Sequence, residues 1–244
     1  MEAAGYSPDL AYIHDSGFTH VAEEAANIIV KILQAGGMYS GKIVELGCGS
    51  GTAACIFLSA GYEVYGVEIS ESMIKLAREK NSEGSFMLAS LWDVTIPSCT
   101  AVVSIGECLN YEFDGEVSLK KVRNLFSRVF DALKPNGLFV FDVLCEGSVE
   151  GDGITKNFTE GKDWLVAVER SETYNAIQRR IISFVSHQYG YKRTLEVHRV
   201  TKFNIEEIEQ LLRDTGFYIE IDDAYGEKSF GPNHKVFRAI GQYN

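Results

Sequence analysis

Three glycines and one carboxylate carry the first chemical signal in this 244-residue chain. Gly47, Gly49 and Gly51 follow the apolar run Ile43, Val44 and Leu46 and precede a helix-forming stretch, Thr52 to Ala60, closed by Gly61. The run reads as a short buried strand. A glycine turn between a strand and a helix start leaves amide groups free and removes the Cβ atoms that would keep a ligand away. The helix start also favours an anionic ligand group. Glu68, 21 residues after Gly47, ends a second apolar strand, Tyr62 to Val67. A carboxylate there can accept hydrogen bonds from both hydroxyls of a ribose. Turn, acid and order of elements together describe a cofactor site.

The spacing separates two kinds of cofactor. A dinucleotide fingerprint runs Gly-x-Gly-x-x-Gly. Here the third glycine falls one residue early, and Thr52 stands where that fingerprint needs glycine. The stretch Val44-Glu45-Leu46-Gly47-Cys48-Gly49-Ser50-Gly51 instead resembles the first motif of class I S-adenosylmethionine-dependent methyltransferases. The resemblance extends over roughly residues 40–143 and 204–240. It implies S-adenosyl-L-methionine as cofactor, S-adenosyl-L-homocysteine as product and methyl transfer to a small-molecule acceptor. It implies Gly47, Gly49 and Gly51 at the methionine end, Glu68 at the ribose, and Met73, Ser90, Leu91 and Trp92 around adenine, with Glu45, Cys48 and Ile69 as further cofactor neighbours. Ser90 stands where the family often carries an acid that bonds the adenine amino group; a serine accepts without charge. Ile105, Gly106 and Glu107 face cofactor and acceptor alike. Tyr12 and His14, with Phe18, lie in an aromatic–Asp stretch that often closes over the cofactor in such enzymes, or packs the next helix.

The chemistry at the acceptor is less legible. The methyl group is electrophilic in the sulfonium itself, so positioning can replace an elaborate catalytic set. Glu107, Tyr111 and His198 are the candidates for a proton acceptor or acceptor anchor, and none is assigned. His198 falls in a cluster with Glu196 and Arg199. The chain lacks the Asn/Asp-Pro-Pro-aromatic tetrad of methyltransferases acting on exocyclic or amide nitrogens, which argues against DNA-adenine and glutamine acceptors. No metal-ligand spacing is visible among the five cysteines, and no metal is expected. An RNA or protein methyltransferase, or a non-catalytic cofactor-binding subunit of a complex, are the alternative readings.

The positioning elements follow from periodicity and turn chemistry. Apolar residues at Val21, Ala25, Ile28, Ile29 and Ile32 predict a helix, with Thr19 as N-cap and Gly36-Gly37 as stop. Ser70 predicts the cap of a second helix. Ser85 to Ala89, Thr100 to Gly106 and Leu138 to Val143 read as further strands, with Val117 to Leu133 helical between the last two. Asn204 with Glu207 opens the last helix as a capping-box variant. Phe217 to Ile221 and Lys235 to Ile240 read as a closing pair of strands. Met1 to Leu10 reads as a mobile arm and residues 144–162 as a mobile, glycine-rich loop.

Residues 163–203 change character towards β-branched and aromatic residues and predict three inserted antiparallel strands. The expected fold is α/β: a Rossmann-like, seven-stranded, mostly parallel sheet with helices on both faces, plus an inserted antiparallel β-sheet after the fifth strand. Residues 1–150 and 204–244 form the expected cofactor-binding domain and 151–203 a lid over the acceptor. Lys+Arg 23 against Asp+Glu 34 gives a net charge of −11, which disfavours broad binding to a phosphate backbone. No signal pattern opens the chain, and no apolar run approaches membrane length. A cytoplasmic protein without a membrane partner is expected; its oligomeric state stays open.

Overall fold

The computed structural model describes residues 5–241 except 150, 227–230 and 232. Strands β1 (Lys42–Leu46), β2 (Glu63–Glu68), β3 (Ser85–Leu88), β4 (Cys99–Ser104) and β5 (Leu133–Leu144) run parallel, in the order β5-β4-β1-β2-β3. The hairpin β10 (Phe217–Asp222) and β11 (His234–Gly241) extends the sheet to seven strands, with β11 antiparallel to β5. Every residue of β4 is buried, as expected of a central parallel strand covered on both faces.

Helices cover both faces. On one, α5 (Leu119–Ala132) and α6 (Ile205–Thr215) bury Val122, Leu125, Phe126, Val129, Ile208 and Leu212 against Phe139 and Phe141. On the other, α2 (His20–Ala35) and α3 (Thr52–Ser59) bury Ile29, Leu33, Ala53 and Phe57 against Ile43 and Val103. The helix α4 (Glu71–Lys80) starts at Ser70, whose hydroxyl accepts the Met73 N–H at 3.2 Å. Asn204 caps α6 by accepting the Glu206 N–H at 2.9 Å and the Glu207 N–H at 3.3 Å.

Three expectations are corrected. Residues 8–10, placed in a mobile arm, belong to a helix, α1 (Pro8–Gly17), with Pro8 in the first turn; residues 1–4 of that expected arm lie outside the described residues. Thr19 does not cap α2: its backbone is already helical, and its hydroxyl bonds the Glu23 carboxylate at 2.7 Å. The second sheet has four strands: β6 (Ile154–Glu160), β7 (Trp164–Glu172), β8 (Ala176–His187) and β9 (Gly190–Thr201), all antiparallel. All of β6 lies in the stretch, 144–162, read as loop. Every residue of β6 is exposed, so no face selects apolar residues and no alternation marks the strand.

α1 packs against the inner face of the second sheet. Leu10 and Ile13 are buried with Trp164, Val166, Ile181 and Val185. Polar ties flank this contact: Lys192 pairs with Asp9 at 2.7 Å, and the Tyr12 hydroxyl donates to both oxygens of Asp163 at 2.9 and 3.0 Å. On its other side α1 reaches α4 through the Lys80–Asp15 pair. It therefore straps the second sheet to the first.

Candidate active site

One cavity opens at the C-terminal ends of β1, β2 and β4, where open α/β sheets place their ligands. Its floor is the glycine turn. Gly47 and Gly49 have φ of 80° and 52° and line the cavity, as does Gly106 at φ 88° after β4. A Cβ on Gly49 or Gly106 would meet nothing within 4 Å, so both leave an open cradle over bare backbone. A Cβ on Gly47 would instead strike Cys108 Sγ at 2.4 Å. Gly51 serves the fold: it starts α3 at φ 79°, away from the cavity lining, and a Cβ there would meet Asn81 Nδ2 at 2.6 Å.

Glu68 stands beside this cradle, mostly buried. One carboxylate oxygen accepts the Gly49 N–H at 2.9 Å and the other the Ser70 N–H at 2.8 Å. Burial raises its pKa, and the two amide bonds oppose that. The amides aim the carboxylate, and each oxygen keeps a further lone pair for a ligand hydroxyl. Glu45 lies behind the turn, outside the cavity lining, with a buried Oε2 that has no hydrogen-bond partner among the described residues. Burial, then the neighbouring Glu68 charge, push its pKa well above the usual carboxylate range. Cys48 is likewise buried behind the turn.

The far end of the cavity is an apolar slot. Ile69, Met73, Leu91, Trp92 and Ile105 line it with Ser90, all expected cofactor neighbours. His14 and Phe18 line it from the strap; Tyr12 points outward to Asp163 and does not. Burial lowers the His14 pKa, so its ring is neutral at pH 7.

Tyr6, Cys108, Tyr111 and Phe113 complete the wall that faces the second sheet. Tyr111 stacks on Phe113 at 4.7 Å, and Phe113 meets the ring of His198 edge-on at 4.9 Å. His198 backs this wall without lining the cavity, and its Nε2 bonds Glu196 at 2.9 Å. Arg199 is not part of that pair. It follows on the opposite face of β9, as strand alternation requires, and its carbonyl accepts the Glu112 N–H at 3.0 Å. Glu107 lies just outside the lining, held by Arg179 at 2.7 Å; Arg179 also donates to the Tyr111 hydroxyl. Burial works against the Arg179 charge, but Tyr111 and Glu107 outweigh it and raise its pKa.

A residue that sequence reading passed over organises the turn after β4. Asp142, fully buried on β5, accepts the Gly106 N–H at 2.7 Å and the Glu107 N–H at 2.9 Å. It also bonds the Tyr225 hydroxyl at 2.6 Å and His234 Nε2 at 2.8 Å. Glu107 sits at φ 62°, a left-handed conformation costly for a side chain with Cβ, and these bonds hold it there. A carboxylate inside the apolar run Phe139-Val140-Phe141-Asp142-Val143 was the available signal. Tyr6, Phe113, Asp114 and Arg179 carried none, because they come to the site from three separate segments, Arg179 from behind the lining. Among the described residues no group of three or more His, Cys, Asp or Glu side chains could hold a metal.

Fold and site together have the form of a class: the fold is that of a class I S-adenosylmethionine-dependent methyltransferase domain joined to a second, antiparallel sheet. Residues 43–137 match the family model described as a methyltransferase domain. A relative from Geobacillus sp. (strain WCH70), named Putative methyltransferase GWCH70_2453, is 26% identical over 220 residues, covering 86% of this chain and 87% of its own. Among solved structures, an S-adenosylmethionine-dependent methyltransferase from Clostridium acetobutylicum ATCC 824 superposes with a TM-score of 0.81 at 17% identity, over 96% of this chain and 98% of its own. The sugar N-methyltransferase KedS8 from Streptoalloteichus sp ATCC 53650 superposes with a TM-score of 0.78, also at 17% identity, over 100% of this chain and 96% of its own. At such identities the structural likeness speaks for the fold.

Proposed function

We propose that this protein transfers the methyl group of S-adenosylmethionine to a small-molecule acceptor. The observation that carries this reading is the cradle itself: two cavity-lining glycines with nothing where a Cβ would be, beside a carboxylate aimed by backbone amides. Gly47 and Gly49 hold the methionine end, Glu68 the ribose hydroxyls, and Ile69, Met73, Leu91 and Trp92 the adenine. The bound sulfonium supplies an electrophilic methyl group. The residues of this chain orient the acceptor in line with the methyl–sulfur bond and exclude water; such positioning is worth ~7–11 kcal/mol in favourable cases.

The acceptor enters against Tyr111 and Phe113, under the second sheet, which acts as a lid. That the chain has a sugar N-methyltransferase among its structural neighbours supports a small molecule in this place. Glu107 is a poor general base, since its carboxylate is engaged by the Arg179 guanidinium at 2.7 Å and lies outside the cavity lining. Tyr111 is no better, because burial raises its pKa. Both orient rather than abstract, and the acceptor loses its proton to solvent or arrives without one.

The test is calorimetric binding of S-adenosylhomocysteine to the wild type and to Glu68→Ala. Micromolar binding that weakens at least ~100-fold in Glu68→Ala is expected, because two charge-assisted hydrogen bonds disappear. No binding to the wild type at any accessible concentration would overturn the reading.

A further inference from the structure

Ser90, at the end of the apolar slot, has its hydroxyl already committed. It accepts the Trp92 N–H at 3.0 Å and donates its proton to Asp114 Oδ2. Asp114 comes from the segment after the turn Cys108–Asn110, 24 residues away in sequence, yet it lines the same cavity. Glu68 and Asp114 are the two carboxylates among the lining residues, and they have different surroundings. Each oxygen of Glu68 already accepts one amide N–H, from Gly49 and from Ser70. Asp114 Oδ1 has no protein donor among the described residues.

The segment that carries Asp114 is braced from the side of the second sheet. Tyr111 bridges to Val200, the Glu112 N–H donates to the Arg199 carbonyl at 3.0 Å, and the Thr201 hydroxyl donates to Glu112 Oε1 at 2.6 Å. Gly115, at φ 106°, turns the chain back, its N–H reaching the Glu112 carbonyl at 3.3 Å. Asp114 is thus held at the slot by structure on both sides, although it is itself exposed.

We propose that Asp114, and not Ser90, is the residue that selects adenine in this protein, its free carboxylate oxygen accepting a hydrogen bond from the exocyclic amino group. The inference rests on the cofactor reading above and adds to it the residue that discriminates the base. The slot is otherwise apolar around Ala89, Leu91 and Trp92. A charged acceptor at its end favours a ring edge that donates and penalises one that presents a carbonyl oxygen. The same segment carries Tyr111 and Phe113, so the base and the acceptor are met by one stretch of chain.

The experiment compares S-adenosylhomocysteine with S-inosylhomocysteine, in which oxygen replaces the amino group, by calorimetry on wild type, Asp114→Asn and Ser90→Ala. The wild type should prefer the adenine compound by about tenfold or more, the scale of one charge-assisted hydrogen bond. Asp114→Asn should lose that preference, because its amide can donate to the carbonyl. Ser90→Ala should keep it. A preference unchanged in Asp114→Asn, or lost in Ser90→Ala alone, overturns the proposal while leaving the cofactor reading intact. Absence of any binding of S-adenosylhomocysteine to the wild type overturns both.

Discussion

Glu45 and Glu68 place two carboxylates within one buried neighbourhood, and the protein treats them differently. Glu68 is aimed by two amides, whereas Glu45 keeps an unpartnered buried oxygen. Burial and the Glu68 charge raise the folded-state pKa of Glu45 above its ordinary 4.5. The folded state then binds more protons than the unfolded chain above that pH, so stability falls as pH rises from 4.5 through the raised value. Glu45→Gln should flatten that fall, though Glu68 retains some of it, and should raise the denaturation midpoint at pH 7 relative to the wild type. Chemical denaturation at several pH values reads both. Removing the charge at Asp142 should destabilise the fold instead. Asp142→Asn replaces an acceptor-only group by one that must place two N–H bonds among four donors. A loss of about 1–3 kcal/mol is expected in denaturant titrations, with weaker S-adenosylhomocysteine binding, since Gly106 lines the cavity.

At the scale of elements, the strap α1 is the joint of the site. Its polar face holds Lys80, Lys192 and Asp163, and its apolar face holds the second sheet. The Tyr6 carbonyl just ahead of it accepts the Ser70 hydroxyl proton at 2.8 Å, directly beside the carboxylate of Glu68. Ile13 is fully buried, so Ile13→Ala removes about 2–5 kcal/mol of packing. That loss should appear as local opening: amide exchange over residues 8–17 rises while that of β4 is unchanged, and S-adenosylhomocysteine dissociates faster. Equal loss of protection in β4 would mean that α1 unfolds only with the whole domain. Asn204→Ala, outside the cavity lining, should cost about 1 kcal/mol of stability and leave ligand binding as it was.

For the whole molecule, the first sheet and the strap line the cavity while the second sheet backs its wall through His198, and the two tryptophans of the chain divide between the sheets. Trp92 lies in the slot of the first sheet, and Trp164 begins β7 of the second. Ligand held only by the folded state stabilises it by about 2.7 kcal/mol at a concentration of 100 times the dissociation constant. In Trp92→Phe, where emission reports Trp164 alone, saturating S-adenosylhomocysteine should still raise the melting midpoint, because the strap ties both sheets to the occupied site. A midpoint that does not move would show a second sheet that unfolds by itself.

Much of this was legible in the chain because it is local. A strand, a glycine turn and a helix are written in one continuous stretch from Lys42 to Ser59, and their backbone demands select residue types that can be read one after another. The Gly47–Gly51 turn, Glu68, the caps Ser70 and Asn204 and the parallel core follow from such spacing. The strap and the strand β6 were not legible, for two different reasons. α1 earns its place by packing on a sheet more than 140 residues later, and β6 buries no face that could impose a pattern. The wall of Tyr6, Tyr111 and Phe113, the Arg179 that holds Glu107 and Tyr111, the Asp142 hub and the approach of Asp114 to Ser90 are contacts between segments far apart in sequence. Sequence alone determined the turn, the acid and the kind of cofactor they resemble; tertiary structure alone decided which distant side chains close the cavity around it, because only the packing of the second sheet and the strap brings them within hydrogen-bonding reach.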